Sequence, residues 1–284
     1  MKKNIIKSIT LSSLLILTSC NSTSYKYDEP LFITGDIADD SVKNNFFEKT
    51  KNYSNFIPDG CYEYTYTRKI NYYGVYNDEI VINIKMKVRN IINSKTGKST
   101  YTLDKLIYHY KANDDAKWYN KNYNPYREIY KYYDGNTYTD NEIAVQNISY
   151  PSYKHYYTNI KNPTIDFSHL NRPTQKDLIK NDYVLYSKNN IYHFEYSSYK
   201  DYEYINSIYY NEDIAFEFNS DFTKLNQLSF NYISFGYYFK DSSNVPLKDY
   251  DIGIVKAIDE FEVELPDLND YKLKDNSKFL YISG

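Results

Sequence analysis

Two neighbouring stretches, GCYEYTYTRKINYYG (residues 60–74) and DEIVINIKMKVRNI (residues 78–91), give the clearest indication of the fold. In the first, tyrosine occupies every second position of residues 62–66, and in the second an apolar row over residues 80–88 alternates with polar side chains. Side chains two residues apart in a strand point to the same face of a sheet. The alternation therefore predicts two antiparallel strands, with the tyrosine row beside the apolar row on one face.

Further segments with the same character predict a chain dominated by strands. They cover residues 99–110, 127–133, 183–187, 191–196, 203–210, 214–218, 225–233 and 260–265. Turns are predicted around Gly74 and Gly97, at Asp134-Gly135 and at Asn189-Asn190, because these residue types favour turns. The segment DGNTYTDNE (134–142) has spaced acids but lacks the glycine and the spacing of a calcium loop, so we interpret it as a polar hairpin turn.

Helices are predicted for two segments. In ADDSVKNNFFEKTKNYS (38–54) an acidic or serine cap precedes Val42, Phe46, Phe47 and Tyr53 at helical spacing. RPTQKDLIKN (172–181) has an early proline and a threonine cap and predicts a second, short helix. The predicted fold class is α+β, mainly antiparallel β, as a single domain over residues 31–284, with residues 140–172 the least regular part.

The N-terminal stretch MKKNIIKSITLSSLLILTSC (1–20) begins with lysines and continues into an apolar run that is too short to span a membrane. This arrangement is typical of a secretory signal peptide. Its ending, Leu17-Thr18-Ser19-Cys20, resembles the lipobox of bacterial lipoproteins. The alternative is an ordinary signal peptide with an incidental cysteine.

The lipobox resemblance implies a signal peptide over residues 1–19 and acylation of Cys20. Residues 20–30 would then form a lipid-anchored flexible tether, with the domain at the extracytoplasmic face of the cell membrane. Acylation leaves Cys61 with no partner for an intramolecular disulfide, and we interpret that thiol as a small buried apolar side chain.

The formal net charge is −3 and no basic patch is evident, so we expect no nucleic-acid partner. The four histidines are scattered without the spacing of metal ligands, and nucleophile elbows and phosphate-binding glycine loops are absent from the sequence. We therefore expect no catalytic residues, no metal and no cofactor. His193 is out of phase with the aromatic residues on either side of it, which predicts that it faces water.

The C-terminal part, DIAFEFNSDFTKLNQLSFNYISFGYYF (213–239), predicts strand, turn and strand, and IDEFEVELPDL (258–268) predicts a closing strand. With the helix order upstream, this pattern over residues 38–266 resembles lipoprotein-carrier-like domains, which include periplasmic lipoprotein carriers and the lipid-binding lipoproteins of mycobacteria. The resemblance implies a curved open half-barrel sheet with a few helices on its concave side. It also implies a space between them for acyl chains or other apolar ligands.

The expected function is a membrane-anchored lipoprotein, not an enzyme, that binds an apolar or amphipathic ligand in a curved-sheet cavity. The residues expected to line that cavity are Tyr64, Tyr66, Ile82, Ile84, Phe216, Phe218, Leu228 and Phe230. Tyrosine hydroxyls would orient a polar head group. The main alternative is a surface scaffold or adhesion protein that meets a protein or glycan through tyrosine-rich faces. A hydrolase with dispersed carboxylates is a third hypothesis.

Overall fold

A computed structural model of the chain describes most of the predicted domain. The described residues are 31–33, 36–51, 57–72, 76–92, 99–114, 126–145, 152–160, 163–166, 175–180, 183–202, 205–240, 243–274 and 280–283. The predicted signal peptide, the tether with Cys20, and the turns around Gly74 and Gly97 lie outside these residues.

The secondary structure is dominated by strands. The helices are α1 (Asp40–Thr50) and the short α2 (Gln175–Ile179). The strands are β1 (Gly60–Tyr72), β2 (Tyr76–Ile92), β3 (Ser99–Asp114), β4 (Tyr126–Tyr133), β5 (Tyr138–Val145), β6 (Tyr153–Tyr157), β7 (Thr164–Asp166), β8 (Val184–Lys188), β9 (Ile191–Tyr202), β10 (Ile205–Phe218), β11 (Leu225–Lys240), β12 (Ser243–Ala257), β13 (Lys272–Leu273) and β14 (Tyr281–Ser283).

All these strands belong to one open sheet in the order β13-β6-β5-β4-β3-β2-β1-β12-β11-β10-β9-β8, with β7 paired to β3 and β14 to β7. Strands β1 to β6 form the N-terminal arm, whereas β12 back to β8 form the C-terminal arm. Pairing is antiparallel except where β13 meets β6 and β14 meets β7. The predicted fold class, a curved and mainly antiparallel open sheet with a helix packed on it, is confirmed.

The predicted pairing of the first two strands is also confirmed. Tyr64 lies opposite Ile84 and Tyr66 lies opposite Ile82 in the antiparallel register of β1 with β2. The tyrosine row and the apolar row therefore share one face of the sheet. We call this the inner face, since α1 packs against it, and the opposite side the outer face.

Helix α1 covers the inner face of the C-terminal arm. Asp39 caps the helix by accepting a hydrogen bond from the Val42 N–H at 2.9 Å. Phe46 is fully buried, and its ring lies 4.9 to 6.4 Å from four rings of β9 and β10. We call this cluster the helix-covered floor; it consists of Phe46, Tyr192, Phe194, Phe216 and Phe218. Burial of each such ring contributes about 1.5–3 kcal/mol.

Loops close the inner face of the N-terminal arm. The hydroxyl of Tyr62 donates to the Pro58 carbonyl at 2.9 Å, and the Tyr101 hydroxyl accepts the Ile57 N–H at 3.4 Å. Ile57 is fully buried in the same apolar core as the helix-covered floor. Buried tyrosine rings in this arm therefore reach backbone partners for their polar ends, as buried phenols require.

The outer face is crossed by two chain segments, residues 31–33 over the C-terminal arm and residues 258–271 over the N-terminal arm. In the second crossing, the Ile258 N–H donates to the Cys61 carbonyl at 3.0 Å, and Lys105 Nζ donates to the Phe261 carbonyl at 2.9 Å. Cys61 is buried beneath this crossing, as predicted. Burial raises the pKa of its thiol, and the nearby Glu260 carboxylate raises it further.

The prediction of a closing strand at residues 260–265 is wrong. These residues form no strand, because they cross the outer face instead of joining an edge of the sheet. Ion pairs from the underlying strands hold the segment, with Lys87 paired to Glu260 at 2.5 Å and Lys105 to Glu262 at 3.1 Å. The strand that joins the two arms is β12, which the sequence pattern did not predict.

Candidate functional site

The register of β9, β10, β11, β12 and β1 arranges their inner-face side chains in rows that run across the strands. One apolar row contains Tyr192, Phe216, Leu228, Val255 and Tyr64, and the next contains Phe194, Ile214, Phe230, Gly253 and Tyr66. The row after that is different in character. It contains Tyr196, Glu212, Tyr232, Asp251 and Arg68, and we call it the charged row.

All eight residues expected to line a ligand cavity lie on the inner face, but their burial divides them. Six are at most 7% exposed and belong to the packed core: Tyr64, Ile82, Ile84, Phe216, Phe218 and Leu228. The other two, Tyr66 and Phe230, are half-buried and border the charged row. Of the eight, only these two have an aromatic ring that a ligand could reach from the charged row.

Gly253 sets the position of the Phe230 ring. A Cβ atom at residue 253 would lie 2.1 Å from Phe230 Cε1, so only glycine leaves room for the ring to lie over this backbone. The Phe230 ring stacks on that of Tyr66 at 6.1 Å between centroids and 28° between planes. We call Phe230, Tyr66 and the underlying Gly253 the aromatic platform.

Beside the platform, Arg68 lies between two aspartates of β12. Its guanidinium is 3.0 Å from Asp249 Oδ2 and 3.6 Å from Asp251 Oδ1. The Tyr66 hydroxyl donates to Asp251 Oδ1 at 3.2 Å, which joins the platform to the charges. The side chains of Asp249 and Asp251 are 19% and 20% exposed and that of Arg68 is 38% exposed, so solvent reaches all three.

The charged groups of this site are not fully paired. Among the residues that the structure describes, the buried atoms Arg68 Nε and Asp249 Oδ1 have no hydrogen-bond partner. Glu212 accepts a hydrogen bond from the Tyr183 hydroxyl at 2.8 Å. Three carboxylates therefore accompany one guanidinium, and the site has an excess of negative charge.

The pKa shifts agree with this excess of carboxylates. Burial raises the pKa of Asp251, and the positive charge of Arg68 offsets only part of the effect. Burial also raises the pKa of Glu212, with a further contribution from Asp213. Burial and the neighbouring Asp251 raise the pKa of Tyr66, so its phenol stays a hydrogen-bond donor at neutral pH. A cation placed here would favour the ionised carboxylates.

A second polar cluster lies on the outer face of β3 and β4. His109 Nε2 is 2.6 Å from Glu128 Oε1, and the hydroxyls of Tyr126 and Tyr130 also donate to this carboxylate. Burial raises the pKa of Glu128, but the three hydrogen bonds outweigh it and lower the pKa overall. The His109 ring stacks on Tyr130 at 4.5 Å, so these bonds fix an ordered aromatic surface.

The sequence prediction missed most of the charged site. Glu212 and Tyr232 continue the predicted inner-face rows by steps of two from Ile214 and Phe230, so the alternation itself contained a signal. Asp249 and Asp251 gave none, because a strand with two inward aspartates and an inward glycine does not alternate apolar with polar residues.

No protein-family model, curated protein or solved structure matches this chain. In the part of the chain that the structure describes, no helix is long and apolar enough to cross a membrane. Within the same residues, no three His, Cys, Asp or Glu side chains are grouped so as to hold a metal ion. The candidate site therefore rests on its own geometry.

Proposed function

We propose that this protein is an extracytoplasmic lipoprotein, anchored through Cys20, that binds an amphipathic ligand where the inner face changes from apolar to charged. The apolar part of the ligand would lie on the aromatic platform. Its head group, cationic or rich in hydrogen-bond donors, would meet the carboxylates of Asp249, Asp251 and Glu212.

The observation that supports this proposal is the direct contact between the platform and the charges. A half-buried ring pair, Phe230 on Tyr66, is joined by a hydrogen bond to Asp251, which carries the adjacent negative charge. A ligand cation over such rings gains about 0.5–2 kcal/mol from the aromatic faces. Carboxylates in a partly desolvated site add to this, because their charge is screened less than on an open surface.

Two detergents with the same twelve-carbon chain test the head-group preference. We expect the Cys20→Ser protein to bind dodecyltrimethylammonium below its micelle concentration at least about tenfold more tightly than dodecyl sulfate, a difference of about 1.4 kcal/mol. Isothermal titration calorimetry measures both affinities. Asp249→Asn with Asp251→Asn should abolish the preference, whereas the matched outer-face change Glu63→Gln should preserve it. Equal affinity for the two head groups, or binding of neither, would contradict the proposal.

Membrane fractionation tests the anchor. We expect the wild-type protein in the membrane fraction and the Cys20→Ser protein in the soluble fraction, since acylation would supply the membrane affinity. Incorporation of labelled palmitate into the wild-type chain alone is the matching chemical measurement. A Cys20→Ser protein that stays fully membrane-associated would rule out the lipobox interpretation.

The outer face supports the scaffold function as a second candidate. Tyr126, Tyr130 and His109 are held in place by Glu128, and rigid tyrosine surfaces suit contact with proteins and glycans because little side-chain entropy is lost. A glycan array with the wild-type protein and Tyr130→Ala tests this candidate. Binding that Tyr130→Ala removes, while the double variant Asp249→Asn with Asp251→Asn retains it, would favour the scaffold.

A further inference from the structure

The crossing segment at residues 31–33 is fixed to the outer face by a buried histidine. The Leu31 N–H donates to Ser229 Oγ of β11 at 3.2 Å. His193 of β9 places Nδ1 2.8 Å from the Ile33 carbonyl and Nε2 2.9 Å from Asp213 Oδ1 of β10. The prediction that His193 faces water is wrong: it does point to the outer face, but this segment covers it and leaves 4% of it exposed.

The partners of His193 require both of its ring protons. A carbonyl and a carboxylate only accept hydrogen bonds, whereas a neutral imidazole has a single N–H. With both nitrogens at 2.8–2.9 Å from such oxygens, the ring donates twice only as imidazolium. The carboxylate of Asp213 is itself held by Asn211, whose Nδ2 donates to Oδ2 at 2.7 Å.

Aromatic and acidic side chains also lie near His193. The Phe32 ring of the crossing segment lies 5.4 Å away and the Tyr186 ring of β8 lies 5.7 Å away. Glu195 of β9 adds a second negative charge nearby. Burial by itself lowers the pKa of His193, but the bonds to Asp213 and Ile33 and the nearby carboxylates outweigh it and raise the pKa above the usual value.

We propose that residues 31–33 and His193 form a pH-dependent latch, closed while the ring carries both protons and loosened when it loses one. The neutral ring keeps its N–H toward Asp213, because a lone pair facing a buried carboxylate is the costlier arrangement. The Ile33 carbonyl then faces a lone pair, and the crossing segment detaches. Because the pKa is raised in the closed state, the stabilisation is complete below about pH 6.5, the usual histidine value, and is lost as pH rises through the higher folded pKa.

An open latch would lengthen the connection between the domain and its membrane. Among the described residues that follow Ile33, the next attachment is at residues 37 and 38, where Ile37 bridges Tyr186 and the Ala38 N–H donates to the Leu185 carbonyl at 2.8 Å. Release of residues 31–33 would add about 10 Å of reach, at 3.3–3.6 Å per residue. This consequence rests on the proposed lipid anchor, whereas the latch itself does not.

Two measurements on the wild-type full chain test the latch. Nitrogen chemical shifts of labelled histidine report the protonation of His193, and hydrogen–deuterium exchange, normalised by the intrinsic rate at each pH, reports protection of the Leu31 amide. We expect a doubly protonated ring at pH 6 and a loss of Leu31 protection that follows its titration, about tenfold for each pKa unit between the closed and open states. A ring that is already neutral at pH 6, or protection that stays constant while the ring titrates, would overturn the proposal.

Two variants, Asp213→Asn and the matched change His155→Gln on β6, test which groups set the pH of the transition. Asp213→Asn keeps an oxygen acceptor but removes the negative charge, so the loss of protection should move to lower pH. His155→Gln changes a histidine of the other arm and should leave the transition in place. If Asp213→Asn fails to fold, the wild-type titration still decides. Neither measurement involves a ligand or the lipid, so the latch can fail while the proposed function holds, and the reverse.

Discussion

The helix-covered floor and the charged row lie on the same face of the same strands, β9 and β10, yet they are opposite in chemistry. Phe216 and Glu212 are four residues apart on β10 and both point inward. The ring of Phe216 is fully buried and lies 5.9 Å from Phe46, whereas Glu212 is half-buried and bonded to a tyrosine hydroxyl. Strand alternation predicts that both side chains lie on the inner face, but it does not predict what surrounds them.

The difference between them follows from the position of α1. Where the helix packs, every inward ring finds apolar neighbours and the rows form a dry core. Beyond that cluster the same face meets solvent, and carboxylates can be held with partial hydration. The border between the two, at Phe230 and Tyr66, is where an apolar surface and a charged surface are accessible together. Coverage by α1, and not residue alternation, therefore separates the core from the candidate site.

Phe46→Ala should destabilise the helix-covered floor and have the largest effect of the three substitutions. It removes the ring on which Tyr192, Phe194, Phe216 and Phe218 pack, so we expect a loss of about 3–5 kcal/mol in the free energy of unfolding. Denaturant unfolding followed by circular dichroism measures it. A matched change on the solvent side of α1, Glu48→Ala, should cost less than about 1 kcal/mol. Equal losses for the two variants would show that the helix does not close the floor.

Gly253→Ala should disturb the border with an intermediate effect. The added Cβ meets the Phe230 ring, which must swing away, so we expect a loss of about 1–3 kcal/mol. The control is the same change in a Phe230→Ala background. There the steric conflict is absent, and alanine should stabilise the strand by about 0.5–1 kcal/mol relative to glycine. Unfolding midpoints that show the same sign in both backgrounds would contradict the proposed packing of the ring over Gly253.

Glu212→Gln should remove a negative charge from the charged row and have the smallest effect on stability. Burial raises the pKa of Glu212 in the folded protein, so the folded state favours the protonated acid and loses stability as pH rises above the unfolded value. The glutamine variant, which keeps an acceptor for Tyr183, should therefore be more stable by about 0.5 kcal/mol at pH 7. This gain should vanish near pH 4. Thermal unfolding at both pH values measures it, with Glu217→Gln on the outer side of β10 as the control; a gain that persists at pH 4 would refute the explanation.

Much of the fold was predictable from local sequence patterns, and the parts that were not predictable have physical explanations. The pairing of β1 with β2, the helix α1, the Asn189-Asn190 turn with φ of 50° and 64°, and the hairpin turn at Asp134 all follow from residue type and alternation. Two predicted strands at residues 203–210 and 214–218 are one strand, β10, which begins at Ile205, because the polar residues 211–213 between them pair in register with both β9 and β11. β12 was not predicted, because Gly253 and the inward aspartates interrupt the alternation of apolar and polar residues along it.

The pattern of the sequence was enough to predict a mainly antiparallel sheet with an aromatic inner face, because side-chain alternation is a property of neighbouring residues. It also determined the location of α1 through its cap and its helical spacing. The pattern did not predict which aromatic rows are core, which half-buried rings border carboxylates, or that residues 31–33 cover His193. Those facts depend on contacts between residues as many as 198 positions apart, such as Leu31 with Ser229, and local sequence patterns do not encode the geometry of such contacts.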